Sequence, residues 1–297
     1  VRLVLDLPQN KGRLGMKMKS KSNLLNLLML MSASFLTNAQ QIDLSNQTWS
    51  SEVIRQEGQA IIPLFDGWYP NADGTKTICF GYFNMNTDQS FDIPIGDENY
   101  LETDYPNLDL SNANIPTHFD PLPPAYRHVF CAFSVNVPEG FNTNHRITWH
   151  IASNRFELST PGKVIAPYVL DEPQSDGRGD LAPLVRLAPN SEGVRGRSGV
   201  HSSLINASVG DSVPLQAWIN HPDEEVWVGW SHHSGDGRVE FDHKEYEVLA
   251  NNQQTTVQAK FDQPGEYIVR MQTIDDIAAF EFYCCHTNAY FHINVSN

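Results

Sequence analysis

Basic residues, methionines and cysteines are all scarce in this 297-residue chain: 20 Lys and Arg stand against 35 Asp and Glu, with six Met and four Cys. A net charge of −15 repels phosphate backbones, and no basic patch interleaved with aromatics is present, so nucleic acid is not an expected partner. Long hydrophobic runs are missing too. The apolar stretch from Leu24 to Leu36 covers only about a dozen residues, whereas a spanning helix needs roughly 20, so no transmembrane segment is expected in the mature chain. Neither His-Glu-x-x-His nor Gly-x-Ser-x-Gly occurs, and no glycine-rich phosphate loop precedes a helix. The expectation is therefore of no catalytic residue, no metal site and no cofactor.

That single apolar run has a context. Met16-Lys17-Met18-Lys19 precedes it and Thr37-Asn38-Ala39 follows, which is the basic start, hydrophobic centre and small-residue exit of a secretory signal peptide. Residues 1–15 are expected to lie upstream of a start at Met16 or Met18, so 1–39 are set aside as upstream extension and signal peptide. No cysteine follows the run to carry a lipid. Setting aside 39 of the 297 residues leaves 258, with 14 basic and 34 acidic side chains and a net charge of −20. The mature chain is expected to be periplasmic or extracellular.

Its hydrophobic pattern has a period of two. Ile147, Trp149 and Ile151 alternate with polar residues, as do Val129, Cys131, Phe133, Val135 and Val137, and clusters of Pro, Gly and Asn bound these runs. Tyr69 to Gly74 supplies turn residues before a strand from Thr77 to Phe83, giving a hairpin. The fold class is all-β, with two antiparallel, immunoglobulin-like β-sandwich domains. Composition places an N-terminal domain at 45–170, a linker rich in Pro, Gly, Ser and charge at 171–199, and a C-terminal domain at 200–297. A polar irregular stretch from Asp97 to Pro124 carries Thr117-His118-Phe119, and a loop of that length is a candidate binding element.

In the C-terminal part, Trp230, Ser234-Gly235-Asp236-Gly237 and Phe261 lead into Pro264-Gly265-Glu266-Tyr267-Ile268-Val269-Arg270. This resembles PKD and REJ-type modules over roughly residues 205–297. The resemblance implies an immunoglobulin-like sandwich in which Tyr267 packs a corner and ties its hydroxyl to backbone, with Trp230 in the core. The ending Tyr283-Cys284-Cys285-His286, with Phe80-Gly81-Tyr82 and Pro116-Thr117-His118-Phe119, resembles a group of secreted bacterial proteins and implies architecture rather than activity.

Export makes disulfides the first expectation for Cys79, Cys131, Cys284 and Cys285, and four cysteines allow three connectivities. If each domain folds on its own, Cys79 pairs with Cys131; buried free thiols are the alternative. Cys284 and Cys285 point to opposite faces of a regular strand, so they form a vicinal bond at a break, pair elsewhere, or take part in a metal site. Strand parity groups Cys285 with Ala289, Phe291, Ile293 and Val295 on the core face. A copper site is disfavoured by spacing, since His286 is too near the cysteines, His292 too far, and no methionine follows Met271. For zinc, His232, His233, Asp236 and His243 lack a cysteine pair at the usual spacing. Asp97, Glu98, Glu102, Asp104 and Asp109 have no ordered calcium-loop motif and read as a solvated face. Arg178-Gly179-Asp180 carries little weight as an adhesion tripeptide.

Among the aromatics, Trp68 and Tyr69 beside a turn are candidates for an exposed stacking surface, with His118 and Trp227 as further ligand-surface candidates. The face of Trp227 is left open, since it hangs on a bulge between it and Trp230. The expected function is that of a secreted, non-catalytic binding or interaction module for a glycan or protein partner. The alternatives are a copper or zinc protein or enzyme built on His and Cys residues of the C-terminal domain, and a structural spacer in a surface assembly.

Overall fold

The computed structural model describes residues 55–121, 128–170, 181–275 and 286–297, without the side chains of 223–225, 245–252 and 275. The chain divides into residues 1–50 and 51–297, and the fold below belongs to the second unit. Its strands are β1 Ile61–Pro70, β2 Lys76–Asn84, β3 Phe91–Asp92, β4 Asn99–Thr103, β5 His118–Phe119, β6 His128–Val137, β7 Ile147–Ser153 and β8 Phe156–Gly162. After a 3-10 turn at Ala166–Tyr168 come β9 Leu184–Arg186, β10 Val200–His201, β11 Ile205–Ser208, β12 Val213–Ser234, β13 Val239–Phe241, β14 Glu245–Phe261, β15 Gly265–Asp275 and β16 His286–Ser296. All pairing is antiparallel except that β10 and β11 run parallel to β16. The all-β expectation stands.

The N-terminal half is a sandwich of the sheets β1-β2-β6 and β4-β7-β8. Period-two alternation produces it directly: Ile147, Trp149 and Ile151 point inward from β7, against Ile61, Ile78, Phe80 and Phe133 from the facing sheet. Phe80 stacks on Phe133 at 5.3 Å and Trp149 meets Phe133 edge-on at 5.0 Å. The indole N–H donates to Asn99 Oδ1 at 2.9 Å, so this fully buried ring has its polar atom satisfied. The expected hairpin is present, closed by Asn71 N–H donating to Thr75 O, with Gly74 at a left-handed φ of 85°. The stretch from Asp97 is less irregular than expected. It contributes β4 and β5, because Asn99 ties it down through Nδ2 to Ile93 O and Pro116 O; residues 122–127 lie outside the described ones.

The C-terminal half is one eight-stranded sheet with the order β10-β16-β15-β12-β14-β13, to which β11 and β9 add at β16 and β12. Leu215, Val228, Trp230, Val269 and Phe291 meet in its core. Tyr267 is buried and donates its hydroxyl to Gln263 O at 2.9 Å, the corner bond expected of a tyrosine after that turn. The core face of β16 is the expected one, with Ala289, Phe291, Ile293 and Val295 all buried. Its other face is buried as well at His286, Asn288 and Tyr290, where it covers the N-terminal half.

The described part of the expected linker is structured. Leu184–Arg186 pairs with β12, Thr287 Oγ1 donates to Pro183 O at 2.6 Å, and Ser198 Oγ lies 2.7 Å from the Tyr69 hydroxyl. Composition reads as a linker or an irregular edge segment; pairing and burial put residues 181–199 with the second of these, packed against the molecule. Residues 171–180, including Arg178-Gly179-Asp180, lie outside the described residues.

Candidate ligand cleft

Three neighbouring strands lose register at one level. The β1–β2 ladder shifts between Phe65 and Gly67, leaving Asp66 out of the pairing. The β2–β6 ladder shifts between Phe80 and Tyr82, and β6 arches over residues 130–132 with Cys131 at a left-handed φ of 43°. A non-glycine residue there is disfavoured by roughly 1–2 kcal/mol, so something must hold it. Two contacts do. Cys131 is bonded to Cys79 of β2, and its N–H donates to Asp66 Oδ2 at 2.7 Å. Gly81 sits at the centre, where a Cβ would collide with the Asp66 carboxylate, Val129 O and the His128 ring.

Asp66 is the buried anchor of this arrangement. Its Oδ1 lies 2.9 Å from His128 Nε2. Burial raises its pKa, and the hydrogen bonds from His128 and Cys131 act against that rise. The ring of His128 packs against Phe83 at 4.9 Å and Phe130 at 5.2 Å, which leaves it a single orientation. Above this pair opens a cleft of about 410 Å3, walled by Phe65, Phe83, Phe130 and Tyr168. That is within the range of small-ligand sites, roughly 300–1,000 Å3. Tyr168 and Val169 form a rim that is 48% and 47% exposed, an unusual placement for large apolar groups. The cleft can stack on a flat ligand and hydrogen-bond to it. Among the described residues that line it, none is serine, threonine or cysteine.

Behind the arch, the C-terminal half satisfies the β6 carbonyls. Arg270 NH2 donates to Phe130 O at 3.2 Å and Cys131 O at 3.4 Å, Asn288 Nδ2 donates to Cys131 O at 3.4 Å, and the Tyr290 hydroxyl donates to Ala132 O at 3.2 Å. Asn288 Oδ1 accepts from Arg270 NH2 at 2.8 Å, so the buried guanidinium is itself hydrogen-bonded. The floor of the cleft is thus carried by residues far away in sequence.

A second polar cluster joins the halves. His118 is held between Asp92 at 2.6 Å and Asp120 at 2.9 Å, and it stacks on His232 at 4.2 Å. Burial opposes charge on His118, but the two carboxylates outweigh it and raise its pKa. Burial, and then the neighbouring His118, pushes His232 down to about 3. Burial likewise brings His233, which donates through Nε2 to Asn114 O, down to about 3. His286, buried beside Arg197 and Arg270, is lowered well below the usual range.

A pH dependence follows with a definite sign. His232, His233 and His286 stay neutral in the folded chain but take up protons on unfolding once pH drops below about 6.5. Their stabilisation is complete above that pH and is lost as pH falls below it, toward 3 for His232 and His233, at about 1.4 kcal/mol per pH unit for each. His118 acts oppositely: its contribution is complete below about 6.5 and is lost as pH rises through its raised value. Urea unfolding at pH 5 is expected to show uptake of about three protons from these histidines, and His233→Gln to remove about one. A slope that His233→Gln leaves unchanged would contradict this assignment.

The structure places the expected site residues as follows. Cys79 and Cys131 form the disulfide; Cys284 and Cys285 lie outside the described residues. Tyr69 is 3% exposed, so its ring is no stacking surface, and Trp68 is half-buried with its N–H donating to Ile165 O at 2.8 Å. Each strand residue is drawn in because the chain returns past it through residues 165–170. Trp227 and Trp230 lie in unbroken register with β15, so three residues of separation alone put them on opposite faces. Trp230 is in the core, and Trp227 is half-buried across Gly229. His118 is buried in its carboxylate clamp rather than displayed on a loop. His232, His233, Asp236 and His243 do not converge: among the described residues no group of three His, Cys, Asp or Glu is placed to hold a metal ion. Asp66 and His128 were not singled out from sequence. Their signal was a lone carboxylate inside an alternating strand and a glycine inside the apolar run Cys79-Phe80-Gly81-Tyr82.

No family model matches the chain, and no curated protein matches it. Among solved structures, the ASH/PapD-like domain 7 of human CEP192 is similar with a TM-score of 0.26 and 7% identity, covering 39% of this chain and 84% of that one. The D00-D0 domain of Intimin is similar with a TM-score of 0.27 and 10% identity, covering 80% of this chain and 100% of that one. Overlap this slight leaves function to be argued from the chain's own geometry. Among the described residues no helix is long and apolar enough to cross a membrane.

Proposed function

We propose that this chain is an exported, non-catalytic binding protein whose ligand enters the cleft over Asp66 and His128. The observation that carries the reading is an aromatic-walled cleft over one imidazole held by a buried carboxylate, with no serine, threonine or cysteine among the described residues that line it. Aromatic faces with a few fixed hydrogen-bonding groups suit the pyranose ring of a glycan better than a flat protein surface. The PKD-like C-terminal half, supported by the Tyr267 corner bond, then serves as a support that fixes the cleft floor through Arg270, Asn288 and Tyr290.

Screening the full chain on a glycan array, followed by calorimetry of the hits, tests this. Tyr168→Ala removes a half-exposed wall without opening the core and is expected to weaken a hit by about tenfold, the loss of one stacking contact of roughly 1–1.5 kcal/mol. Binding that Tyr168→Ala and His128→Ala leave unchanged would place the ligand elsewhere. Turnover of a bound glycan would overturn the non-catalytic reading.

A further inference from the structure

On the far side of Tyr290 from the cleft floor, parallel pairing brings two imidazoles together. His201 ends β10 and His292 lies in β16; they are 91 residues apart in sequence, yet His201 Nδ1 and His292 Nε2 are 3.0 Å apart. We propose that this pair is a bidentate surface site for a divalent transition-metal ion of the Cu2+ or Ni2+ type, completed by water.

Two imidazole nitrogens each about 2.0–2.1 Å from one metal are about 2.9 Å apart when cis at a right angle, and about 3.4 Å apart at a tetrahedral angle. The observed 3.0 Å is the hydrogen bond between the two rings and brings both nitrogens within the span of one ion; the preference for Cu2+ rests on imidazole donors and on the affinity order, in which Cu2+ stands above both Ni2+ and Zn2+. In the unloaded pair one ring donates a hydrogen bond to the other. Loading moves the proton of that bond to the outer nitrogen of the same ring and turns the two lone pairs from each other toward a common ion. Both rings remain neutral, and no net proton is released.

The two ligands are brought together before the ion arrives. The ring of His201 lies flat on Tyr290 at 4.9 Å and 17°, and Tyr290 is fixed by its hydroxyl bond to Ala132 O. The backbone at His292 is pinned by its N–H donating to Ser202 Oγ at 2.9 Å, and Ser202 N–H donates to Tyr290 O at 2.9 Å. His201 is exposed and His292 half-buried, so water has room to fill the remaining positions. Such a site has two protein ligands and an open side, the arrangement of an exchangeable rather than a structural metal.

The test is a Cu2+ titration of the full chain, read by electron paramagnetic resonance and by calorimetry, with His201→Ala, His292→Ala and the half-buried His243→Ala. The expected result is one equivalent of tetragonal Cu2+ with splitting from two nitrogens. Affinity should fall more than about tenfold in either pair variant and stay unchanged in His243→Ala. Both pair variants change exposed or half-exposed side chains, and an unchanged melting temperature confirms that they fold. Absence of saturable binding overturns the proposal. So does binding that survives both substitutions, which would place copper on other donors, or a Zn2+ affinity above that for Ni2+ and Cu2+.

Discussion

Replacing Cys79 and Cys131 together with alanine is expected to lower stability by about 4 kcal/mol, the loop-closure entropy returned to the unfolded chain when a cross-link over 52 residues is removed. For a chain of this size that is a fall in melting temperature of about 10 °C. The effect should not stop at stability. Cys131 holds a left-handed backbone at the crest of the β6 arch, where the disulfide acts together with the Asp66 carboxylate on its N–H and with the Arg270 and Asn288 donors on its carbonyl. Ligand binding by the variant should therefore weaken even well below its melting temperature. Both sulfurs are fully buried, so reductant added to the folded protein should act only after unfolding. Mass-spectrometric mapping of the Cys79–Cys131 peptide pair, with melts of the double variant, checks this; a loss below about 1 kcal/mol would mean that the bond does not restrain the unfolded chain.

Arg270→Met is expected to cost about 3 kcal/mol or more. The substitution keeps the volume but strips the donor from Phe130 O and leaves Asn288 Oδ1 buried without its charged partner. Removing the buried guanidinium also removes its desolvation penalty, which offsets part of the loss; the unsatisfied carbonyl and amide oxygens decide the sign. Because Arg270 and Asn288 act on the same arch, Arg270→Met and Asn288→Leu should be less than additive, with a coupling of about 1 kcal/mol. Urea unfolding of the two single variants and the double variant measures that coupling. Strict additivity would show that the two side chains act separately.

These two substitutions mark where sequence reading succeeded and where it stopped. Cys79 pairs with Cys131 as expected from export and from the confinement of both cysteines to one half. Alternation in β7 and β16 gave the core faces correctly, because a side chain's face in a strand depends only on counting residues. Tyr267 found its backbone partner four residues away for the same reason, since the contact is local.

Asp66, His128, Arg270 and Asn288 were illegible by the same counting. Each is polar, and a polar residue in a strand is ordinarily assigned to solvent. Two coincident register shifts turned Asp66 inward, and the second face of β15 and β16 was buried by the other half of the molecule. Trp68 and Tyr69 went the other way: a turn neighbourhood suggested exposure, but residues 165–170 and Ser198 return to cover them.

By itself, then, the sequence determined the all-β class, the inward faces of β7 and β16, the hairpin and the expectation that Cys79 pairs with Cys131, which follow from local periodicity and from cysteine count within one half. The tertiary structure alone decided which polar side chains became buried partners, that residues 181–199 pack instead of linking, and that His201 meets His292. Those outcomes depend on contacts between separate segments, 62 residues apart for Asp66 and His128, 91 for His201 and His292 and 140 for Arg270 and Phe130, and no periodic pattern within one strand encodes which distant strand will cover it.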